Sequence, residues 1–165
     1  MDRETLDSIR QSVVEAGLVL ARSSMTIGTY GNISQRVDAD HIAITPSGRD
    51  YEQLTPADIV VTDMERTITE SSGALTNQDF GNKPVAVDFA NSKEDRSSVT
   101  VPLRPSSELP LHLEIYKSFP EAQAIVHTHS VYASALAAAH KDLPPIIEDL
   151  TQITGGAVRC TEYRS

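Results

Sequence analysis

The sequence contains a single cysteine, Cys160, and no tryptophan among its 165 residues. One thiol excludes an internal disulfide framework and is typical of a reducing compartment, so we interpret Cys160 as a small apolar strand residue. No apolar run approaches the roughly 20 residues of a membrane span, and the amino terminus has no signal-peptide pattern. These absences predict a cytoplasmic protein with no membrane partner.

Basic residues are also scarce. The chain has 14 Lys and Arg against 23 Asp and Glu, which gives a formal net charge of −9. An acidic surface repels phosphodiester backbones, so we expect no nucleic-acid partner. A small phosphate can still bind such a protein where backbone N–H groups and hydroxyls form a local site. The length fits one domain with a real core, and we assign residues 1–165 to a single domain.

The first half of the chain contains clear helix and hairpin signals. Apolar residues recur at helical spacing over 6–20, which predicts an amphipathic first helix. The segment 28–32 contains two glycines and an asparagine, a composition typical of a loop with unusual backbone angles. Residues 33–37 and 41–45 predict the two strands of a hairpin.

Turn-forming and helix-capping residues follow the hairpin. The segment 45–48, Thr-Pro-Ser-Gly, predicts a tight turn. Thr55, followed by Pro56 and by Asp58 three residues after the threonine, predicts a short capped helix. Residues 59–61 then predict another strand.

Between about 71 and 101 the sequence is polar and rich in turn-forming residues. Val85, Val87 and Phe89 alternate as in one strand, but little else in this stretch supplies a core. We interpret 71–101 as an insertion into the domain, because compact domains rarely hold so long a structureless loop.

The next predicted helix begins at Ser106 or Ser107, since a serine cap is followed by Pro110 in the first turn. Glu108 then lies near the amino-terminal end, where the helix dipole favours a carboxylate. One interpretation of Glu108 is therefore a plain capping role. His112, one turn further on, is predicted to be a surface or core imidazole.

The segment 125–130 is a β-branched run with two histidines, His127 and His129, spaced two residues apart. In an extended strand alternate side chains leave the same face, so the two imidazoles point together. Such a pair can bind one Zn²⁺ ion, which needs a third protein ligand and leaves a position for water or substrate. A purely structural role is the alternative, because His-x-His alone is a weak signal.

The remaining elements complete the predicted fold. An alanine-rich run predicts a helix over 130–140, and residues 146–154 predict a short helix that ends at a pair of glycines. Residues 157–163 predict a final strand. The order of elements predicts an α/β sandwich with a mixed or antiparallel sheet and helices on its faces.

Five motifs, in this order along the chain, resemble those of the class II aldolase/adducin family. They occupy residues 28–34, 45–48, 54–60, 104–108 and 124–130. The resemblance covers most of the chain outside the predicted insertion. It implies a three-layer α/β/α sandwich around a largely antiparallel sheet. The family includes metal-dependent sugar-phosphate aldolases, an epimerase, a dehydratase and the non-enzymatic head domain of adducin.

The resemblance also implies roles for individual residues. His127 and His129 match two of three zinc ligands, and Glu108 matches the acid/base residue that moves a proton. Small or hydrogen-bonding residues match the positions that hold the substrate phosphate: Thr29, Gly31, Asn32, Ser47, Gly48, Ser106 and Ser107.

The implied function is that of a zinc-dependent aldolase, which cleaves a ketose 1-phosphate to dihydroxyacetone phosphate and an aldehyde in carbohydrate catabolism. The complete family member is expected to be a homotetramer. Glu108 favours an aldolase over the epimerase, which commonly has an aspartate there. The lysines lie in polar contexts, which disfavours a Schiff-base aldolase. A related epimerase or dehydratase and a non-catalytic, adducin-like or truncated interaction protein are the alternatives.

The family's third zinc-binding histidine belongs to an Asn-His-Gly motif that the resemblance places beyond Ser165. His41, His112 and His140 match no ligand position of the family. We therefore expect the 165-residue chain to bind zinc weakly and to cleave no ketose 1-phosphate. A chain extended through an Asn-His-Gly segment is expected to do both.

Overall fold

The computed structural model describes residues 2–26, 28–70 and 103–162. The predicted insertion at 71–101, including its proposed strand, lies outside these residues. The elements in chain order are α1 (Arg3–Arg22), β1 (Asn32–Arg36), β2 (His41–Ile44), β3 (Val60–Asp63), β4 (Ile68–Glu70), α2 (Leu109–Ser118), β5 (Ala124–His127), α3 (Val131–Ala138) and α4 (Glu148–Thr154), with short 3₁₀ helices at Tyr51–Gln53 and Pro56–Asp58.

In the described residues the strands form one sheet with the order β4-β3-β2-β1-β5. All four pairings are antiparallel. The hairpin places Ser34 opposite Ile44, and the pairing of β1 with β5 places Asn32 opposite His127. This last pairing brings two distant motifs of the sequence side by side.

Helices cover both faces of the sheet. Successive side chains of a strand point to opposite faces, so one strand contacts helices on both sides. On β2, Ala43 belongs to the cluster that contains the buried side chains of α1. Its neighbours Ile42 and Ile44 belong instead to a second cluster with α2. The predicted three-layer α/β/α sandwich around an antiparallel sheet is therefore confirmed.

The first helix begins and packs as its sequence predicts. Asp2 is the N-cap, and its carboxylate accepts a hydrogen bond from the Thr5 N–H at 2.9 Å. Its apolar stripe is buried, with Val13 only 1% exposed. Gly17 allows Tyr51 to approach closely, because a Cβ at this position would lie 2.6 Å from the tyrosine ring.

The short elements that follow agree with their turn chemistry. Thr55 and Asp58 form the reciprocal hydrogen bonds of a capping box around Pro56. At the other end of the chain, α4 ends at Gly155, which is in the left-handed region with φ +73°. Among the described residues, no helix has both the length and the apolar character of a membrane span.

Two parts of the sheet differ from the prediction. The strand β4 was not predicted, since three residues are too few to show a periodic pattern. The strand predicted over 157–163 is wrong for the described residues 157–162, where only Val158 forms an isolated bridge, with Leu143. Pro144 and Pro145 follow Leu143 and have no N–H to continue a ladder. Cys160 is consequently half-buried and outside any strand.

Candidate active site

Glu108 stands at the start of α2, but its side chain does not cap the helix. The helix begins at Leu109, later than predicted, and the Glu108 N–H donates to Ser106 Oγ at 3.2 Å. The carboxylate turns toward β1 and β5 instead. Its Oε2 atom accepts a hydrogen bond from Asn32 Nδ2 at 2.6 Å and lies 3.1 Å from His127 Nδ1. The capping interpretation of Glu108 is therefore wrong.

The two histidines of the His-x-His motif lie together, as predicted, although the strand ends at His127. His129 lies two residues past the strand, and the imidazole rings stack with centroids 4.9 Å apart. His129 Nε2 is 3.9 Å from Glu108 Oε1. The Tyr30 ring also lies close to His129, with the ring centroids 5.7 Å apart.

Glu108, His127 and His129 together offer donor atoms of the types that bind a metal ion. Their candidate ligand atoms all lie within 4.8 Å of one another. Two imidazoles with one carboxylate is a known zinc donor set. Tetrahedral zinc, with bonds of about 2.0–2.1 Å, requires donor atoms about 3.3 Å apart, so the wider pairs would have to move closer to bind it. The family resemblance implies a third ligand from a later histidine. Within the described residues, the third group beside the pair is Glu108.

The residues expected to hold a phosphate lie around one cleft of about 280 Å³. Glu108 and His129 line the same cleft, so it opens directly onto the candidate metal centre. Tyr30 and Pro46 also line it and were not predicted. All seven predicted residues are present in the lining: Thr29, Gly31, Asn32, Ser47, Gly48, Ser106 and Ser107.

Two loops that are far apart in the sequence build one wall of the cleft. Pro46 and Pro105 form an isolated antiparallel bridge. On either side of it, the Ser47 N–H donates to the Arg104 carbonyl at 2.8 Å, and the Ser106 N–H donates to the Thr45 carbonyl at 3.0 Å. These main-chain bonds hold the two serine-containing motifs together.

Glycine is required at the back of the cleft. Gly31 has φ +84°, in the left-handed region that glycine favours. A Cβ at Gly31 would also lie 2.7 Å from the carbonyl oxygen of His127. The glycine therefore permits the close approach of the loop at 28–32 to the strand that contains His127, and the predicted loop with unusual backbone angles is confirmed.

The described residues that line the cleft include no lysine or arginine. They supply hydroxyl groups, the amide of Asn32, the carboxyl group of Glu108 and the imidazole of His129. An anion at this place would be held by hydrogen bonds, as expected for an acidic protein with a local phosphate site.

A buried polar network lies behind the cleft. His112 is fully buried, which confirms one of its two predicted environments, the core. Its Nδ1 atom is 2.6 Å from Ser34 Oγ, and its Nε2 atom is 2.5 Å from Asn32 Oδ1. Burial, together with the nearby His127, lowers the pKa of His112 to about 4. One signal of this network is present in the sequence, a serine at an inward position of β1.

Comparison with known proteins agrees with the motifs. The family described as Class II Aldolase and Adducin N-terminal domain matches residues 11–165. The chain is 27% identical over 166 residues to the probable L-ribulose-5-phosphate 4-epimerase UlaF of Mycoplasma pneumoniae, covering 100% of this chain and 57% of that protein. It is 29% identical over 161 residues to the 5-deoxy-D-ribulose 1-phosphate aldolase of Bacillus thuringiensis, covering 97% of this chain and 61% of that protein.

A solved structure of an L-fuculose 1-phosphate aldolase has the same fold, with a TM-score of 0.70 and 28% identity. The match covers 96% of this chain and 60% of that one. The chain therefore spans a little more than half the length of these relatives. The family match covers nearly the whole chain and includes the cleft, both histidines and Glu108. The chain belongs to the class II aldolase and adducin family.

Proposed function

We propose that this protein is a zinc-dependent sugar-phosphate aldolase, which cleaves a ketose 1-phosphate to dihydroxyacetone phosphate and an aldehyde in carbohydrate catabolism. The observation that carries the proposal is the position of Glu108. Its carboxylate lies between the two histidines and a cleft whose donors suit a phosphate. One compact site thus combines a candidate metal centre, a candidate acid/base group and a candidate phosphate-binding cleft.

The substrate phosphate would bind in the cleft through the hydroxyls of Ser47, Ser106 and Ser107 and the hydroxyl of Thr29. Gly31 and Gly48 have positive φ angles, a conformation that turns neighbouring N–H groups toward an anion. The cleft has space for a phosphate and a few carbon atoms, about 280 Å³. This placement leaves the rest of the sugar against Glu108 and His129.

His127 and His129 would hold the zinc ion, with the Glu108 carboxylate beside them. When bound, the metal would act as a Lewis acid toward the carbonyl and neighbouring hydroxyl oxygens of the sugar. Aldol cleavage removes a proton from the hydroxyl that becomes the aldehyde, and it adds one to the carbon that keeps the bonding electrons. Glu108 is suited to move a proton in these steps, because it lines the cleft and Asn32 holds its Oε2 atom.

Epimerisation is the second candidate function, since the Mycoplasma relative that matches the whole chain is a probable epimerase. The glutamate at position 108 favours the aldolase, as does the aldolase from Bacillus. From composition and resemblance we further propose a cytoplasmic homotetramer that acts on a small sugar phosphate and has no nucleic-acid partner.

The test compares the 165-residue chain with a chain extended through an Asn-His-Gly segment. Both are loaded with zinc and assayed against ketose 1-phosphates, with dihydroxyacetone phosphate detected by a coupled dehydrogenase. We expect turnover only in the extended chain, with Glu108→Gln reducing kcat by about 10²- to 10⁴-fold.

Two outcomes would contradict the proposal. Conversion of ribulose 5-phosphate to its epimer, without release of dihydroxyacetone phosphate from any substrate, would identify an epimerase. An extended chain that binds zinc stoichiometrically but transforms no sugar phosphate would favour a non-catalytic member of the family.

A further inference from the structure

Behind Glu108, four polar side chains form a continuous path into the core. We infer that His112 is a positioning residue that holds the Asn32 side-chain amide with its NH₂ group toward Glu108. The inference rests on the proposed function only in taking Glu108 as the acid/base group. It assigns a role in the site to a residue that does not line the cleft and whose main-chain N–H donates to the Glu108 carbonyl at 3.3 Å.

The path has four links. Tyr116 Oη is 2.9 Å from Ser34 Oγ, and Ser34 Oγ is 2.6 Å from His112 Nδ1. His112 Nε2 is 2.5 Å from Asn32 Oδ1, and Asn32 Nδ2 is 2.6 Å from Glu108 Oε2. Ser34 and His112 are fully buried, and Tyr116 is 2% exposed. Water therefore has little access to exchange these partners.

The contact at Glu108 gives the direction of the bonds nearest to it. Asn32 presents its NH₂ group to Glu108, because its Nδ2 atom donates to Glu108 Oε2 at 2.6 Å. The amide oxygen then faces His112 Nε2, and an oxygen of this kind only accepts. His112 Nε2 must therefore carry the proton.

The remaining links follow from the tautomer. In a neutral imidazole whose Nε2 is protonated, Nδ1 is an acceptor. The Ser34 hydroxyl then donates to His112 Nδ1, which leaves its oxygen to accept from the Tyr116 hydroxyl. Four groups each donate one hydrogen bond along the path, and every bond points from the core toward Glu108: Tyr116, Ser34, His112 and Asn32.

Reversing the path carries a penalty at the site. If His112 were protonated on Nδ1, its Nε2 atom would accept, and Asn32 would have to turn its NH₂ group inward. The amide oxygen would then face the Glu108 carboxylate at hydrogen-bond distance, with two acceptors opposed. An asparagine amide is nearly symmetric in shape, so packing alone does not prevent this turn. The N–H of His112 Nε2 on one side and the Glu108 carboxylate on the other together hold the amide in one orientation.

Positioning of this kind matters for proton transfer. With Oε2 bound by Asn32, the other carboxyl oxygen of Glu108 is the one that lies nearer His129. An amide that turned over would release Oε2 and let the carboxylate rotate. Small misplacements of reacting groups cost large factors in rate.

The first experiment determines the tautomer in the metal-free 165-residue chain. Two-bond and three-bond ¹H–¹⁵N correlation NMR distinguishes the protonated from the unprotonated ring nitrogen of His112. We expect Nε2 to carry the proton at neutral pH, and an Nδ1-protonated ring would overturn the inference. This measurement needs no variant, metal or substrate.

The second experiment breaks the path. In the metal-free chain, Glu108→Gln is expected to shift the Asn32 side-chain amide resonances, because the carboxylate is their partner. That response should disappear in His112→Leu and persist in His112→Gln, whose amide can donate to Asn32. His140→Gln, at an exposed histidine, is the matched control. An undiminished response in a folded His112→Leu protein would refute the positioning role.

Function provides a separate measurement. In the extended chain, His112→Leu should lower kcat about 10- to 100-fold while KM stays within about twofold. His112→Gln should restore most of the rate, and equal loss in both variants would contradict the inference. If His112→Leu does not fold, Ser34→Ala replaces it, since Nδ1 then loses its donor. Absence of turnover in every version would count against the proposed function and leave the NMR result standing.

Discussion

Two parts of the molecule differ sharply in how they are packed. The packed part, residues 3–70 and 103–118, contains every buried residue of the described chain. The outer part, residues 124–162, contains β5, α3 and α4, and none of its described residues is buried. Large apolar side chains there face solvent, with Tyr132 85% and Ile153 84% exposed.

The candidate site straddles the boundary between these parts. Asn32, Ser106 and Glu108 belong to the packed part, whereas His127 and His129 belong to the outer part. The antiparallel pairing of β1 with β5 joins them. Burial of apolar surface is the dominant stabilising contribution to folding, so stability should reside in the packed part. The outer part should instead control whether the histidines reach Glu108.

The largest loss of stability is expected from a cavity in the packed part. Leu113 is 3% exposed on α2, and Leu113→Ala should lower the free energy of unfolding by about 2–5 kcal/mol, measured by urea denaturation. The matched control is Leu111→Ala, at a position on the same helix that is 45% exposed. It should lower the free energy of unfolding by less than about 1 kcal/mol. Equal losses would mean that α2 is not packed as described.

The pH dependence of stability should report on His112. Burial lowers its pKa from 6.5 to about 4, so the unfolded chain binds more protons than the folded chain between these values. The contribution of His112 to the free energy of unfolding is therefore complete above pH 6.5. It falls by about 3 kcal/mol as the pH drops toward 4. Urea denaturation at several pH values should show this loss in the wild type and not in His112→Gln. Parallel curves for the two proteins would contradict it.

The junction between the two parts can be tested at Gly31. An alanine there meets both the strain of a positive φ, about 1–2 kcal/mol, and a collision with the His127 carbonyl. Gly28 also has a positive φ, but a Cβ there would meet nothing within 4 Å. Gly31→Ala should therefore destabilise the protein by about 1–3 kcal/mol more than Gly28→Ala. Chemical denaturation of both variants measures the difference. Equal losses of unfolding free energy would show that β5 moves away from the added methyl group at little cost.

The smallest effect is expected in the outer part. Ile153→Ser, on the exposed surface of α4, should change the free energy of unfolding by less than about 0.5 kcal/mol. Hydrogen exchange in the 165-residue chain should also be faster for α4 than for α1, since a helix without buried contacts opens more readily. Protection of α4 equal to that of α1 would remove the distinction between the two parts.

The packed part was also the part that its sequence predicted best. The apolar spacing of α1, the hairpin of β1 and β2 and the capping box at Thr55 were confirmed because each depends on residues close in the chain. Prediction was poorer at the sheet edges, where β4 was missed and a strand at 157–162 was wrongly expected. Whether an extended segment becomes a strand depends on a partner strand, and the tertiary structure decides which segment lies beside it.

For the candidate site, too, the sequence predicted local features better than contacts between distant residues. The motifs identified the family and the residues around the cleft, and the His-x-His spacing predicted that His127 and His129 lie together. Local sequence left open whether Glu108 caps its helix, and it placed His112 only as a surface or core imidazole. Neither question depends on nearby residues, since Asn32 and Glu108 are separated by 76 positions.

The sequence by itself determined the helices, the hairpin, the glycine turns and the family, since these follow from periodicity, backbone freedom and short motifs. Only the tertiary structure decided that Glu108 turns to the two histidines instead of its own helix, and that His112 lies behind Asn32. The physical reason is the pairing of β1 with β5 and the bridge between Pro46 and Pro105. These contacts bring distant polar groups into a space where each must find a hydrogen-bond partner.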